Sequence, residues 1–194
     1  MSAITFEQFC AVIQALGEQG KADMEWSEFL APPATPDRFA IEAIFVICNS
    51  GMKNTVAKMI FDRCMQALLC EQPVIEVFKH KGKAAAIEAI WADRKVLLSM
   101  FLGCTDDAAR LEMLEALPWI GSITKYHLAK NFGMDVAKPD VHLQRLADRE
   151  GCTAQALCER LAAEVGLRAA TVDVLLWRAC ANGIINSRTG AINT

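Results

Sequence analysis

The sequence contains no pair of cysteines with the two-residue separation that begins many structural zinc sites. Its eight cysteines lie mostly within apolar stretches, at positions 10, 48, 64, 70, 104, 152, 158 and 180. Free cysteine is among the most frequently buried residue types. We therefore expect thiols of the hydrophobic core, and no zinc.

Long apolar runs are also missing, since no stretch of about 18 residues is apolar enough to cross a bilayer. The first residues, MSAITFEQFC, lack the basic start and apolar centre of an export signal. From these two absences we expect a cytoplasmic protein with no membrane partner. We also expect a monomer.

A strong excess of charge of one sign is absent, because the net charge is only −3. For nucleic-acid binding, the local distribution of charge matters more than the total. Basic residues outnumber acidic ones between residues 53 and 95, whereas acids gather between 106 and 115 and near both ends. This bias fits a nucleic-acid surface, and it fits a solvated surface of mixed charge equally well.

Alternating runs of β-branched residues, which would indicate strands, do not persist anywhere, and apolar residues recur at spacings of three and four. The predicted fold class is therefore all-α. Capping residues and glycine or proline breaks predict helices at 5–16, 36–48, 54–69, 83–92, 95–103, 106–116, 122–131, 140–149, 153–165 and 169–181. A chain of 194 residues suffices for one large core or two small lobes. We expect a central lobe, residues 35–104, and a second lobe that combines residues 1–34 with residues 105–194.

Residues 111–146, LEMLEALPWIGSITKYHLAKNFGMDVAKPDVHLQRL, contain a helix, a short turn with Pro118 and Gly121, and a second helix. Gly121 leaves room beside the backbone. The N–H groups that open the second helix point outward, toward an anion such as a DNA phosphate. Taken alone, such a turn is equally compatible with simple helix packing.

Two segments, LPWIG at 117–121 and KPDVHL at 138–143, together resemble the helix-hairpin-helix DNA glycosylases of the HhH-GPD superfamily. The helix order, the chain length and the break NSG at 49–51 agree more loosely. The resemblance implies a two-lobed helical HhH-GPD fold with the active site between the lobes, of a divergent bacterial or phage-associated type. Only Cys152, Cys158 and Cys180 follow Asp140, so an iron–sulfur cluster with four closely spaced thiolates is not expected.

The resemblance places Asp140 at the position of the family's catalytic carboxylate. That group stabilises the positive charge that develops on the sugar as the base leaves, or it activates water. Asp140 also stands directly before a predicted helix, where an aspartate commonly serves as the N-cap. Both roles are open from the sequence.

The resemblance also implies that the backbone carbonyls of Glu115, Leu117 and Ile120 hold a monovalent cation, Na⁺ or K⁺, which bridges the hairpin to a DNA phosphate. Trp119 departs from the glycine that is usual in this turn. Its side chain either packs on a neighbouring helix or contacts DNA.

Family members that also cleave the DNA strand carry a lysine two residues after the last glycine of the hairpin, and its amine forms a Schiff base with the sugar. Ile123 occupies that position here. Lys125 lies two residues further on, about 200° around the helix, so we expect it to contact a phosphate instead. His127 shares the face of Ile123, but an imidazole cannot form a Schiff base.

Base flipping leaves a gap in the duplex that a wedge must fill. The loop NSGMK, residues 49–53, lies where the family places this wedge, although an ordinary turn explains it about as well. KHKGK at 79–83 is either a phosphate-binding patch or a solvated run of charge. The complete predicted DNA-contacting set is Met52, Lys53, Trp119, Gly121, Ser122, Ile123 and Lys125.

The function implied is that of a monofunctional DNA glycosylase without an organic cofactor. It would flip a modified or damaged base out of double-stranded DNA and hydrolyse the N-glycosidic bond, leaving an abasic site. Base excision repair and defence against modified phage DNA are both open as its setting. The alternatives are a non-catalytic helix-hairpin-helix DNA-binding protein and a bifunctional glycosylase with lyase activity.

Overall fold

The computed structural model describes residues 3–193, apart from the side chain of Asn54, and it is all-α except for one short β-hairpin. The helices are α1 Phe6–Glu28, α2 Pro36–Asn49, α3 Asn54–Leu69, α4 Val74–Val77, α5 Lys81–Gly103, α6 Asp107–Glu115, α7 Thr124–Asn131, α8 Val141–Glu150, α9 Ala154–Val165 and α10 Ala169–Ala181. Strands β1 Ile185–Asn186 and β2 Ala191–Ile192 pair antiparallel. The prediction of an all-α fold class is confirmed at this level.

Side-chain caps begin most of these helices where the sequence predicts them. Thr5 and Gln8 form a reciprocal capping box at the start of α1. The side chains of Thr35, Asp106 and Thr153 each accept a hydrogen bond from a backbone N–H in the first turn of the helix that follows. The N-terminal boundaries of these helices are therefore encoded locally.

Two predicted helix boundaries differ from the structure. The prediction of an end near Leu16 marks only a kink, because Gly17 adopts φ 57° and a second helical segment continues to Glu28. The predicted break between 92 and 95 was wrong, and α5 runs uninterrupted from Lys81 to Gly103. Neither glycine nor proline occurs there, so nothing interrupts the backbone hydrogen bonds.

The described helices group into two compact units, of which unit 1 consists, among the described residues, of 3–31 and 133–193. Its core is formed by apolar side chains of α1, α8, α9, α10 and β1, among them Phe9, Leu143, Leu157, Leu175 and Ile185. Arg178 on α10 donates to the Asp23 carboxylate on α1, with Nε 2.8 Å from Oδ2. The two ends of the described chain thus fold together.

Unit 2 is continuous, residues 32–132, and contains α2 to α7. The rings of Phe39 on α2, Phe101 on α5 and Phe132 after α7 contact one another, with centroids 5.0 to 6.1 Å apart. Helices α6 and α7 pack on each other and on α5 and α2. The structure therefore groups α6 and α7 with the central helices, whereas residues 105–132 were predicted to belong to the other lobe.

Among the described residues, no helix has the length and apolar content needed to span a membrane. All eight cysteines are free thiols. The expectation of core thiols is met in full only by Cys48, Cys64 and Cys158, since Cys70 is exposed and the others are half-buried.

Candidate functional site

The turn between α6 and α7, residues 116–123, is anchored by two apolar side chains and two backbone hydrogen bonds. Leu117 and Ile120 are each 5% exposed. The N–H of Leu117 donates to the Leu114 carbonyl, and the N–H of Ile120 donates to the Leu117 carbonyl. The turn is consequently held from inside, while Gly121, Ser122 and Ile123 at its outer end are exposed.

A hydroxyl that the sequence analysis overlooked fixes the outer end of this turn. Thr124 Oγ1 accepts a hydrogen bond of 2.7 Å from the N–H of Gly121 and lies 3.3 Å from the Gly121 carbonyl oxygen. The N–H of Lys125 also donates to that carbonyl. The helix thus begins at Thr124 rather than at Ser122. A threonine three residues after a turn glycine was the available signal.

No contact within the protein demands a glycine at position 121. A Cβ atom built there would meet only Thr124 Oγ1, at 3.9 Å, and the backbone φ is not positive. Most structurally required glycines have either a left-handed φ or a neighbour too close for a side chain. The absence of a side chain at Gly121 therefore leaves space for a group from outside the chain.

Trp119 adopts a left-handed backbone conformation, φ 65°, which costs a non-glycine residue roughly 1–2 kcal/mol. Its ring lies edge-on to the ring of His80, with centroids 4.9 Å apart, and against Gly82 at the start of α5. A Cβ on Gly82 would be 2.5 Å from Trp119 Cζ3. The structure thus shows the indole packing on a neighbouring helix, yet 45% of Trp119 stays exposed.

Lys125 is engaged within the hairpin. Its Nζ lies 2.5 Å from Glu115 Oε2, and this hydrogen bond raises the pKa of the Lys125 ammonium above its usual value. The carboxylate belongs to the last residue of α6, so the ion pair joins the two helices of the hairpin. The predicted phosphate contact of Lys125 competes with this pair.

The carbonyls of Glu115, Leu117 and Ile120 come from the end of α6 and the turn that follows. The Leu117 carbonyl accepts the Ile120 N–H, which leaves it a second lone pair for another partner. His127 lies with its ring edge toward Phe45 on α2, with centroids 6.4 Å apart.

The loop at 49–53 turns at Gly51, which has φ 72°, and Met52 is half-buried while Lys53 is exposed. The carbonyl of Ser50 accepts a hydrogen bond of 2.6 Å from Lys83 Nζ on α5. Lys83 is 4% exposed, and burial lowers the pKa of its ammonium. The prediction that Lys83 belongs to a surface patch at 79–83 was therefore wrong for this residue.

The first turn of α5 therefore contacts both predicted DNA-contacting segments of unit 2. Lys83 binds the loop at 49–53, while His80 and Gly82 receive the Trp119 ring from the turn at 116–123. Sequence separation hides this arrangement, because the three segments lie more than 25 residues apart along the chain.

Asp140, in unit 1, caps α8. Its Oδ1 accepts hydrogen bonds from the N–H groups of His142, at 2.9 Å, and Leu143, at 3.1 Å. Oδ2 accepts no hydrogen bond from a described residue, and the side chain is half-buried. The N-cap role that the sequence left open is thus confirmed, and this role uses only one of the two carboxylate oxygens.

The chain around Asp140 is braced by α10 and by the β-hairpin. The N–H of Lys138 donates to Asp173 Oδ2, at 3.0 Å, and Asp173 is buried on α10. His142 Nδ1 lies 3.0 Å from Ser187 Oγ. Burial and, secondarily, the Asp140 charge raise the pKa of the Cys180 thiol to about 11.

No group of three or more His, Cys, Asp or Glu side chains in the described part of the chain has the arrangement of a metal site.

Comparison of the chain with protein-family models, with curated protein sequences and with solved structures finds no match.

Proposed function

We propose that this protein is a monofunctional DNA glycosylase that acts on a modified or damaged base in double-stranded DNA. The observation that carries the proposal is the hydrogen bonding of the Asp140 carboxylate. Its Oδ1 is fixed by two backbone N–H groups, whereas Oδ2 has no described hydrogen-bond donor. A carboxylate held in this way, with one oxygen not used by the cap, suits the stabilisation of a cationic sugar.

In the proposed reaction, the bond between C1′ and the base nitrogen breaks, and its electron pair leaves with the base. Asp140 Oδ2 stabilises the positive charge at C1′ and orients a water molecule. The water oxygen bonds to C1′, one of its protons passes to the departing base, and the hydroxyl completes the abasic sugar. The products are the free base and an intact strand.

The hairpin supplies the proposed DNA contact. The open space at Gly121 permits close approach of a phosphate to the exposed backbone of Ser122 and Ile123. The carbonyl oxygens of Glu115, Leu117 and Ile120 are hard donors that suit Na⁺ or K⁺. Such an ion would supply positive charge between the turn and the phosphate.

The residue at position 123 and the pairing of Lys125 both disfavour a lyase step. Ile123 stands at the position of the family's nucleophile, and the Lys125 ammonium is held by Glu115. A protonated amine has no lone pair to attack a sugar. We therefore expect no trapping of the protein on DNA by borohydride.

Abasic-site formation on alkylated, deaminated, oxidised and modified phage DNA tests the proposal, with alkali used afterwards to cut any abasic product. Asp140→Asn should abolish the product while the amide oxygen still caps α8. Asp106→Asn is the matched control, because Asp106 is also an aspartate N-cap, of α6. Activity in Asp140→Asn equal to that of the control would exclude Asp140 from the mechanism.

The second candidate is a non-catalytic DNA-binding protein. It is favoured by the fact that capping of α8 already accounts for an aspartate at position 140. This function predicts duplex binding with a steep salt dependence, no abasic product from any DNA of the panel, and unchanged binding in Asp140→Asn.

A further inference from the structure

The hairpin brings little accessible positive charge to a DNA strand, because Arg110 pairs with Asp107 and Lys130 is only 8% exposed. The Lys125 ammonium is paired with Glu115, and Glu112 on the same helix raises its pKa further. Lysine and arginine side chains that displace the counterions of phosphates supply essentially all of the non-specific binding free energy for duplex DNA and a large share of the specific one. The cations that accompany the hairpin on DNA must therefore come largely from another segment.

The segment that the turn contacts directly is the start of α5. Trp119 lies against His80 and Gly82, and this contact holds the indole in spite of its left-handed backbone. A backbone conformation of this kind persists only where surrounding contacts determine it, and such residues concentrate at functional sites. The missing side chain of Gly82 is what admits the ring.

The surface formed here, which we call the basic ledge, consists of Lys79, His80, Lys81 and the exposed part of Trp119. Lys79, His80 and Lys81 are all exposed. No acidic residue occurs between 77 and 87. His80 Nδ1 accepts the N–H of Lys83, so in the neutral ring Nε2 carries the proton and is a donor.

The basic ledge lies beside both segments of unit 2 that are predicted to contact DNA. It lies at the turn of α5 that binds the loop at 49–53 through Lys83 and the turn at 116–123 through Trp119. Both of these segments are predicted to contact DNA. On this exposed surface His80 contacts the turn through Trp119, and Lys79 and Lys81 flank His80 in the sequence.

We propose that the basic ledge and the turn at 116–123 form one continuous surface that binds the sugar-phosphate backbone of a DNA strand. Lys79 and Lys81 neutralise two phosphates, and the Trp119 indole packs against a deoxyribose. This proposal rests on the proposed function for the identity of its partner. It assigns the positive charge that accompanies the hairpin on DNA to Lys79 and Lys81, at the start of α5, rather than to Lys125.

The salt dependence of duplex binding tests the ledge, measured by fluorescence anisotropy of a short fluorescein-labelled duplex over a series of KCl concentrations. Loss of two phosphate contacts in Lys79→Gln/Lys81→Gln should reduce the slope of log K against log [KCl] by about 1.8. The control is Lys58→Gln/Lys95→Gln, which removes equal charge from exposed positions elsewhere in unit 2. Its slope should equal that of the wild type.

Equal slopes in the ledge variant and the wild type, or equal reductions in both double variants, would overturn the ledge. A wild-type protein that binds no duplex would remove both proposals. Excision of a base with an unchanged slope in the ledge variant would leave the glycosylase proposal standing alone. A reduced slope in the ledge variant, without excision of any base by the wild type, would leave the ledge proposal standing and remove the glycosylase proposal.

Gly82→Ala provides an independent test that retains both lysines. The added methyl group must displace the Trp119 ring. Duplex affinity should fall while the salt slope stays within experimental error of the wild type, because the phosphate contacts are retained. Wild-type affinity in Gly82→Ala would show that Trp119 takes no part in the surface.

Discussion

Lys83 Nζ donates a hydrogen bond of 2.6 Å to the carbonyl oxygen of Ser50, and the lysine that makes this bond is 4% exposed. No described carboxylate lies within ion-pair distance of its ammonium. A buried cation without a counter-ion is costly, since burial removes water from the charge. Its observed role is to hold the carbonyl that precedes Gly51, at the centre of the predicted wedge loop.

Lys83→Met should loosen that loop, because the Ser50 carbonyl loses its donor. We expect faster amide hydrogen exchange at residues 49–53. Lys81→Met, two residues earlier and exposed, should leave exchange there at the wild-type rate. Equal protection in both variants would show that Lys83 does not hold the loop.

The same lysine predicts a dependence of stability on pH. Burial lowers the pKa of Lys83 in the folded state, so the unfolded chain binds its proton more tightly. The free energy of unfolding contributed by Lys83 should therefore rise with pH between the lowered pKa and the ordinary value of 10.5, and fall as pH decreases through that range. Urea unfolding of wild type and Lys83→Met across this range checks the sign, since only the wild type should show this contribution.

Thr124→Ala should destabilise the hairpin. The N–H and carbonyl of Gly121 lose their hydroxyl partner, and the expected decrease in the free energy of unfolding is about 0.5–1.5 kcal/mol. Thr124→Ser keeps the hydroxyl and should unfold at nearly the wild-type urea concentration. A Thr124→Ser variant as unstable as Thr124→Ala would assign the effect to the lost methyl group.

Glu115→Gln should strengthen duplex binding. The substitution releases the Lys125 ammonium, and one additional phosphate contact would steepen the salt slope by about 0.9. Lys125→Gln in the otherwise wild-type chain should leave the slope unchanged. A shallower slope in Lys125→Gln would mean that Lys125 contacts a phosphate in spite of its carboxylate partner.

Cys180 reports on the charge of Asp140. Its thiol pKa of about 11 results first from burial and then from the nearby carboxylate, so Asp140→Asn should lower it. Mass spectrometry of iodoacetamide labelling against pH measures this shift, with exposed Cys70 as an internal reference. Asp148→Asn, an exposed acid on the same helix, should leave the Cys180 profile unchanged.

The helix starts were predictable because each depends on side chains a few residues apart. Thr5, Thr35, Asp106 and Asp140 all cap helices as their sequence context indicates. The grouping of the helices was not predictable in this way. It depends on contacts such as that between Asp23 and Arg178, whose partners lie 155 positions apart in the chain.

The features of the candidate site also divide into those that depend on local sequence and those that depend on long-range contacts. The turn, its glycine and the capping position of Asp140 could be predicted from local patterns. The partners of Trp119, Lys125 and Lys83 could not, because nothing near Gly82, Glu115 or Ser50 in the sequence indicates which distant side chain will reach them. Long side chains on adjacent helices find such partners only after the core has formed.

The division of unit 1 between residues 3–31 and 133–193 has a consequence for synthesis. All of unit 2 has been translated once residue 132 is added, so its phenylalanine core is able to close while later residues are still being made. The apolar face of α1, by contrast, packs mainly on α10 and also on α9, so its native cover is complete only after both have been translated. For most of translation, Phe9 and its neighbours are thus an exposed apolar surface, of the kind that chaperones bind.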